Sequence, residues 1–304
     1  MENCEVKDIH TFNSIREKLE IEDTSIIFNN VYHYTDKKNL FKILKDDNVK
    51  FKMTRYEDFN DKTEGRVIEV YYDLVLESLE KEGILTSEER FYLSELEVQE
   101  EVVFYKKQCD GITVNTAIGT ECNYYVACFS TEKNDEYMFK NYVNTGKGVC
   151  LEFLGDIIFP CGCYNVPNGI IVKGYKVLYG REVIDFIYDK LKNLFAFYPL
   201  NEENREMIKY AIEQMLNKLT FRTKLGKFSK ENEIRLIVGI PEKNFSEDNN
   251  QYSEKNYKGK RFIYYFVPKD SFCDITFNNI GRNECDKLCR DIRNKNYDIN
   301  LKHQ

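Results

Sequence analysis

The chain has no tryptophan, only three histidines and no surplus of positive charge, and each shortage closes off a class of function. Any aromatic surface must be built from its 22 tyrosines and 21 phenylalanines. A net charge of −7 argues against broad electrostatic attachment to nucleic acid or an anionic membrane, while leaving room for a local basic patch. No apolar run approaches the roughly 18 residues that span a bilayer. Met1 to Asp23 is polar and charged, unlike a secretory leader. A cytoplasmic protein with no membrane partner is therefore expected. Its ten cysteines are expected to be free thiols in a reducing compartment. Cys161 and Cys163, like Cys285 and Cys289, are too close to form ordinary staples and lack the well-spaced partner pair of a zinc site.

What is present is a globular pattern, with a hydrophobic fraction of 42% and enough length for a core that needs no staples. Three-to-four apolar spacing predicts helices near 36–46, 65–82, 87–107, 134–144, 180–196, 202–220 and 281–294. In the second, Val67, Val70, Tyr71, Leu74 and Val75 form the predicted core stripe. Strands are predicted near 30–34, 49–54, 124–130, 148–153, 170–178, 234–240, 261–267 and 273–277. Tyr124–Phe129 and Arg261–Phe266 are apolar nearly throughout and read as central strands covered on both faces. Strands and helices do not alternate regularly, which favours α+β over a doubly wound sheet. The polar run from Glu242 to Lys260 reads as a surface loop. With no linker visible, residues 1–304 are read as one domain carrying a helical insertion at about 65–107.

Four segments carry candidate chemistry. His33 lies on a strand away from His10 and His303, and a neutral imidazole donates one hydrogen bond and accepts another, which suits a ribose hydroxyl. Thr35, two residues on, shares its face. Glu231 and Glu233 share a face if their strand already begins at 231, and a carboxylate beside a ribose could stabilise an oxocarbenium-like transition state. Glu233 is the stronger candidate, because Ile234 and Leu236 then alternate with Arg235. A third segment places Phe129 and Ser130 at a strand end before a helix holding Tyr137, Met138, Phe139 and Tyr142, a possible stacking platform for a flat ring. In the fourth, Asn60–Glu64, Asp61 and Glu64 read first as a helix N-terminus, and two carboxylates do not make a metal site. No metal is expected. A basic run, Lys218, Arg222, Lys224, Lys227 and Lys230 with Phe221 and Phe228 interleaved, supports an alternative as a nucleic-acid-binding module.

These segments together resemble the bacterial DUF2971 family. The matching motifs are Tyr32-His33-Tyr34-Thr35, Asn60-Asp61-Lys62-Thr63-Glu64, Cys128-Phe129-Ser130, Met138-Phe139-Lys140-Asn141-Tyr142, Gly148-Val149-Cys150-Leu151-Glu152-Phe153 and Glu231-Asn232-Glu233-Ile234-Arg235-Leu236, in order over about residues 30–240. Phe139 departs from the family's usual tryptophan. The order of His33, a middle aromatic and Glu233 is also similar to the H-Y-E variety of ADP-ribosyltransferases, the DNA-modifying DarT-like toxins in particular. That resemblance implies a split β-sheet core with flanking helices and NAD⁺ as substrate. It implies His33 on the adenosine ribose, an aromatic on the nicotinamide and Glu233 on the nicotinamide ribose. The middle residue stays open among Phe129, Tyr137 and Tyr142. The activity so implied is transfer of ADP-ribose to a nucleic acid, a protein or water, in a toxin or phage-defence setting with a possible antitoxin or defence partner. The alternatives are a non-catalytic binding module and a metal-dependent nuclease using Asp61 and Glu64.

Overall fold

The structure, a computed structural model, describes residues 6–20, 29–59, 67–96, 104–109, 112–117, 122–159, 170–241 and 254–297. In chain order the first elements are α1 (Val6–Leu19), β1 (Asn30–Asp36), α2 (Leu40–Ile43), β2 (Asn48–Arg55), α3 (Val67–Lys81) and α4 (Ser87–Ser94). Next come the hairpin β3 (Phe104–Cys109) and β4 (Ile112–Ala117), then β5 (Cys122–Ser130), α5 (Glu136–Tyr142), β6 (Gly148–Leu154) and α6 (Gly155–Ile158). The chain continues through β7 (Ile171–Lys176), β8 (Leu178–Tyr179), α7 (Arg181–Phe197), α8 (Arg205–Thr220), β9 (Thr223–Lys224) and β10 (Glu233–Pro241). Last are β11 (Lys255–Tyr257), β12 (Lys260–Pro268), β13 (Phe272–Asn278) and α9 (Arg282–Asn294).

The architecture is mixed α/β: a curled antiparallel sheet of nine strands flanked by helices, as the irregular alternation of elements predicts. Its path runs β11-β12-β2-β5-β1-β6-β13, with β10 on the other edge of β5 and β7 beyond β10. One face curls around a core of Phe51, Phe129, Leu151, Phe153, Leu236 and Ile263, closed by Leu40 and Leu44, Ile158, and Ile292. A second core lies among α1, α3, α4, α7 and α8. There α7 buries Val183, Ile187, Leu191, Leu194 and Phe195, the spacing of one helical face. The described part of the expected insertion packs into this bundle, where 67–94 supplies two of the five helices.

Three local expectations change. The buried residues of α3 are Val67, Ile68, Tyr72, Val75, Leu76 and Leu79, so Val67 and Val75 of the predicted stripe are buried and Val70 and Leu74 are exposed. Leu76 and Leu79 carry the buried stripe another turn, whereas the predicted one ends at Val75. The predicted 87–107 helix ends at Ser94, and Phe104–Cys109 pairs with the β-branched run of β4. Strand β12 is not covered on both faces: it lies next to the sheet edge, with Tyr264 half-buried and Phe266 exposed. The helix α1 and strand β11 were not expected. β11 turns into β12 through Lys258 and Gly259, both at positive φ, inside a stretch otherwise read as loop.

Candidate functional site

The site arises from a break in the sheet. β2 meets one edge of β5 at Thr54↔Val126 and Arg55↔Tyr125, and β1 meets the same edge at Tyr32↔Ser130. Between Val126 and Ser130 the two strands diverge, while β10 runs unbroken along the opposite edge from Glu233↔Ser130 to Pro241↔Cys122. The split holds a cavity of about 200 Å³. Tyr32, His33 and Tyr34 line it from β1, Lys52 and Thr54 from β2, and Val126 to Phe129 from β5. Phe59, Met138, Tyr142, Glu231 and Glu233 complete it.

By register, Tyr32, Ser130 and Glu233 form a row on one face of the sheet, and His33 alternates to the core face with Val31 and Thr35. The split reconciles the two, since a side chain from either face reaches a gap. Within it the Cys128 carbonyl lies 3.1 Å from His33 Nδ1 and accepts its proton. That bond leaves Nε2 as the acceptor nitrogen. Burial lowers the imidazole below its ordinary 6.5 and outweighs the carbonyl's opposing pull, so His33 is neutral at physiological pH. The Phe51 and Phe129 rings fix it, each with its centroid 5.7 Å away.

Opposite His33 lies a buried ion network. Glu233 Oε1 accepts from Arg235 Nε at 2.7 Å and Oε2 from Lys224 Nζ at 2.8 Å, while the same Lys224 donates to Glu231 Oε2 at 2.6 Å. Arg235 is 0% exposed and also donates to the Phe221 carbonyl at 3.1 Å. Two acids against two bases sum to zero, which is what burying four charges requires. Burial works against ionisation of Glu233, but Arg235 and Lys224 prevail and hold its carboxyl well below the ordinary 4.5. For Glu231 burial prevails over Lys224, and with Glu233 adjacent its pKa is raised. The two carboxylates thus differ in kind: Glu233 is a fixed anion, and Glu231 the one whose proton is easier to hold.

Their convergence has a local cause that period-two spacing misses. The strand starts at Glu233, and Glu231 ends a 3-10 turn from Gly226. Between them Asn232 takes the left-handed conformation (φ 41°, ψ 51°), which asparagine tolerates, and folds both carboxylates onto Lys224. Gly180, at φ +50°, lets that turn pack closely, because a Cβ there would lie 3.1 Å from the Gly226 Cα.

The other predicted residues divide. Tyr142 lines the cavity from the end of α5, whose start is capped by Asp135 accepting from the Met138 amide at 2.9 Å. Burial raises the Tyr142 hydroxyl's pKa, so it stays a neutral donor. Phe129 reaches the cavity but is 2% exposed and locked edge-on among Phe51, Phe153 and Phe159. Ser130 is fully buried and away from the cavity, donating to the Glu231 carbonyl at 2.8 Å and accepting from the Glu132 amide. Thr35 accepts from Asn39 and Tyr137 packs beside Tyr34 and Phe139; neither lines the cavity. Phe139 is core, seated where a Cβ on Gly148 would strike it at 3.0 Å. Met138 is buried and also touches the cavity. Asn60 to Glu64 lies outside the described residues. The basic run divides: Arg222 is buried against Tyr175 and Lys224 is in the ion network, while Lys218 is half-buried and Lys227 and Lys230 are exposed.

Lys224, Arg235, Tyr179, Lys52 and Phe59 were not foreseen as site residues. Tyr179 accepts from the Glu233 amide at 2.8 Å. The one available signal was Arg235, a charge inside an apolar strand beside two acids. The Cys128 thiol is no nucleophile, because burial and then Glu233's charge push its pKa well up. Among the described residues no group of three or more His, Cys, Asp or Glu could hold a metal ion, and no helix is long and apolar enough to cross a membrane. No family model, curated protein or solved structure matches the chain.

Proposed function

We propose that the chain is an NAD⁺-using enzyme of the ADP-ribosyltransferase type, acting at the split between β1 and β2. One observation carries this reading: a neutral histidine, a tyrosine and two unlike carboxylates surround a single cavity. Ligand pockets for drug-sized molecules run from about 300 Å³ upward. At about 200 Å³ the cavity suits a ring with its ribose, so the remainder of a dinucleotide would lie along the split or outside it.

In this reading His33 Nε2 accepts a ribose hydroxyl, Tyr142 lies against the base, and the Glu233 carboxylate offers fixed negative charge to the developing oxocarbenium. The C1′–N bond breaks with its electron pair leaving on nicotinamide. The acceptor's oxygen or nitrogen bonds to C1′, and Glu231 takes the acceptor's proton. A raised carboxyl pKa suits that exchange. Arg235 and Lys224 offset much of Glu233's charge, which makes Glu231 the more responsive of the two.

The test is to incubate the pure protein with NAD⁺, with and without EDTA, and quantify free nicotinamide. EDTA-insensitive release supports the reading. Metal-dependent cutting of nucleic acid without nicotinamide release would replace it with a nuclease.

A further inference from the structure

At the β11–β12–β2 end of the sheet, the face opposite the core carries lysines and rings in alternation. Register sets Lys50, Lys52 and Thr54 opposite Phe266, Tyr264 and Phe262, and Lys255 opposite Phe262. Tyr257 lies two residues beyond Lys255 on the same face. Lys50 Nζ sits 3.6 Å from the Tyr264 ring centroid and Lys52 Nζ 4.1 Å from that of Phe262. Such contacts are attractive at exposed sites, which lets like charges gather. No acidic residue occupies a register position of this face on any of the three strands. That is unusual in a chain of net charge −7.

Further along this side of the sheet, α5 covers β1 and β6, and Tyr56, Phe59 and Phe221 cover β5 and β10. At this end, among the described residues, Tyr257 is 61% and Phe266 43% exposed. Lys52 and Thr54 belong both to this face and to the cavity wall, so the two are continuous.

We propose that this face binds single-stranded nucleic acid, with phosphates on Lys50, Lys52 and Lys255 and bases on Tyr257, Tyr264 and Phe266. Charge of one sign calls for a polyanion, and the interleaved rings select one with flat groups to stack, each such base–ring contact contributing about 1–3 kcal/mol. A duplex keeps its bases stacked internally and cannot use the rings. The proposal rests on this face alone and holds whether or not NAD⁺ is cleaved.

The test is fluorescence anisotropy of the full chain with labelled single-stranded DNA and RNA of about 12 nucleotides, their duplexes, and phosphatidylserine vesicles. Binding of either single strand supports the proposal, which needs only phosphates and bases. The Lys50→Gln/Lys255→Gln double variant should flatten the slope of log affinity against log salt by about 1.4, at roughly 0.7 per phosphate contact. Tyr257→Ala should weaken binding by roughly 5- to 150-fold and leave that slope intact. Neither variant touches the cavity, so nicotinamide release measured without oligonucleotide should match wild type, keeping failure of this proposal separate from failure of the enzyme reading. Absence of single-strand binding at about 50 mM salt, tighter binding of duplex or vesicles, or affinity unchanged in both variants would overturn it.

Discussion

Replacing Glu233 by glutamine changes one atom and should nonetheless destabilise the whole protein. The carboxylate accepts from a cation on each side, Arg235 on Oε1 and Lys224 on Oε2, in a site where Glu233 is 2% exposed. An amide has one acceptor oxygen, so either orientation turns its NH₂ toward an N–H donor. The network moves from neutral to a net positive charge in a buried site. Breaking a buried pair in this way costs about 3–5 kcal/mol. For a chain of 304 residues that is a fall in melting temperature of roughly 5–8 °C, which differential scanning calorimetry at neutral pH measures. Glu231→Gln loses one bond, to Lys224, but burial already favours the protonated form of Glu231, so it should cost less than Glu233→Gln. The double variant Glu233→Gln/Arg235→Met removes one charge of each sign, leaving Glu231 with Lys224, and should melt above the Glu233→Gln single variant. A Glu233→Gln melting temperature within about 2 °C of wild type, or a double variant melting below the single, would refute the network as the anchor of this strand end.

Asn232→Val forces a β-branched residue into positive φ and should cost about 1–2 kcal/mol by chemical denaturation, whereas Asn232→Gly should stay near wild type. Acid titration of stability should show two opposed contributions. Glu233's folded pKa is depressed, so its stabilisation is present above the ordinary 4.5 and lost as pH falls toward its folded value. Glu231's is raised, so its burial is most favourable below 4.5 and loses ground as pH rises through its folded value; melting profiles of the two glutamine variants should differ from wild type in these opposite senses. Tyr142→Ala should weaken NAD⁺ binding by about 2- to 10-fold in calorimetric titration, with the fold intact because Tyr142 is 36% exposed.

Most strands and helices were legible because their apolar periodicity reflects local burial. His33, Glu231 and Glu233 stood out as scarce or charged residues at strand positions, and all three line one cavity. What could not be read is what packing decides. Arg235 fits an apolar–polar alternation and looked solvent-facing, yet the outer face of β10 is roofed by the α8 end and by Phe59, so the guanidinium is fully enclosed. Lys224 looked like one member of a basic surface until the turn through Asn232 brought two carboxylates to it. The split itself depends on β1 and β2 sharing one edge of β5, a long-range pairing with no local signature. Ser130 shows the converse: it reads as a site residue from its motif, and its hydroxyl is spent on the backbone at Glu231 and Glu132.

The most direct test of the account is the rate of nicotinamide release from saturating NAD⁺ by Glu231→Gln relative to wild type, on protein verified as folded. If Glu231 takes the acceptor's proton beside a fixed Glu233 anion, the rate should fall by roughly 10²–10³, while NAD⁺ affinity, set by His33 and Tyr142, changes little. Release at the wild-type rate in Glu231→Gln, or no release by the wild type itself, would contradict it.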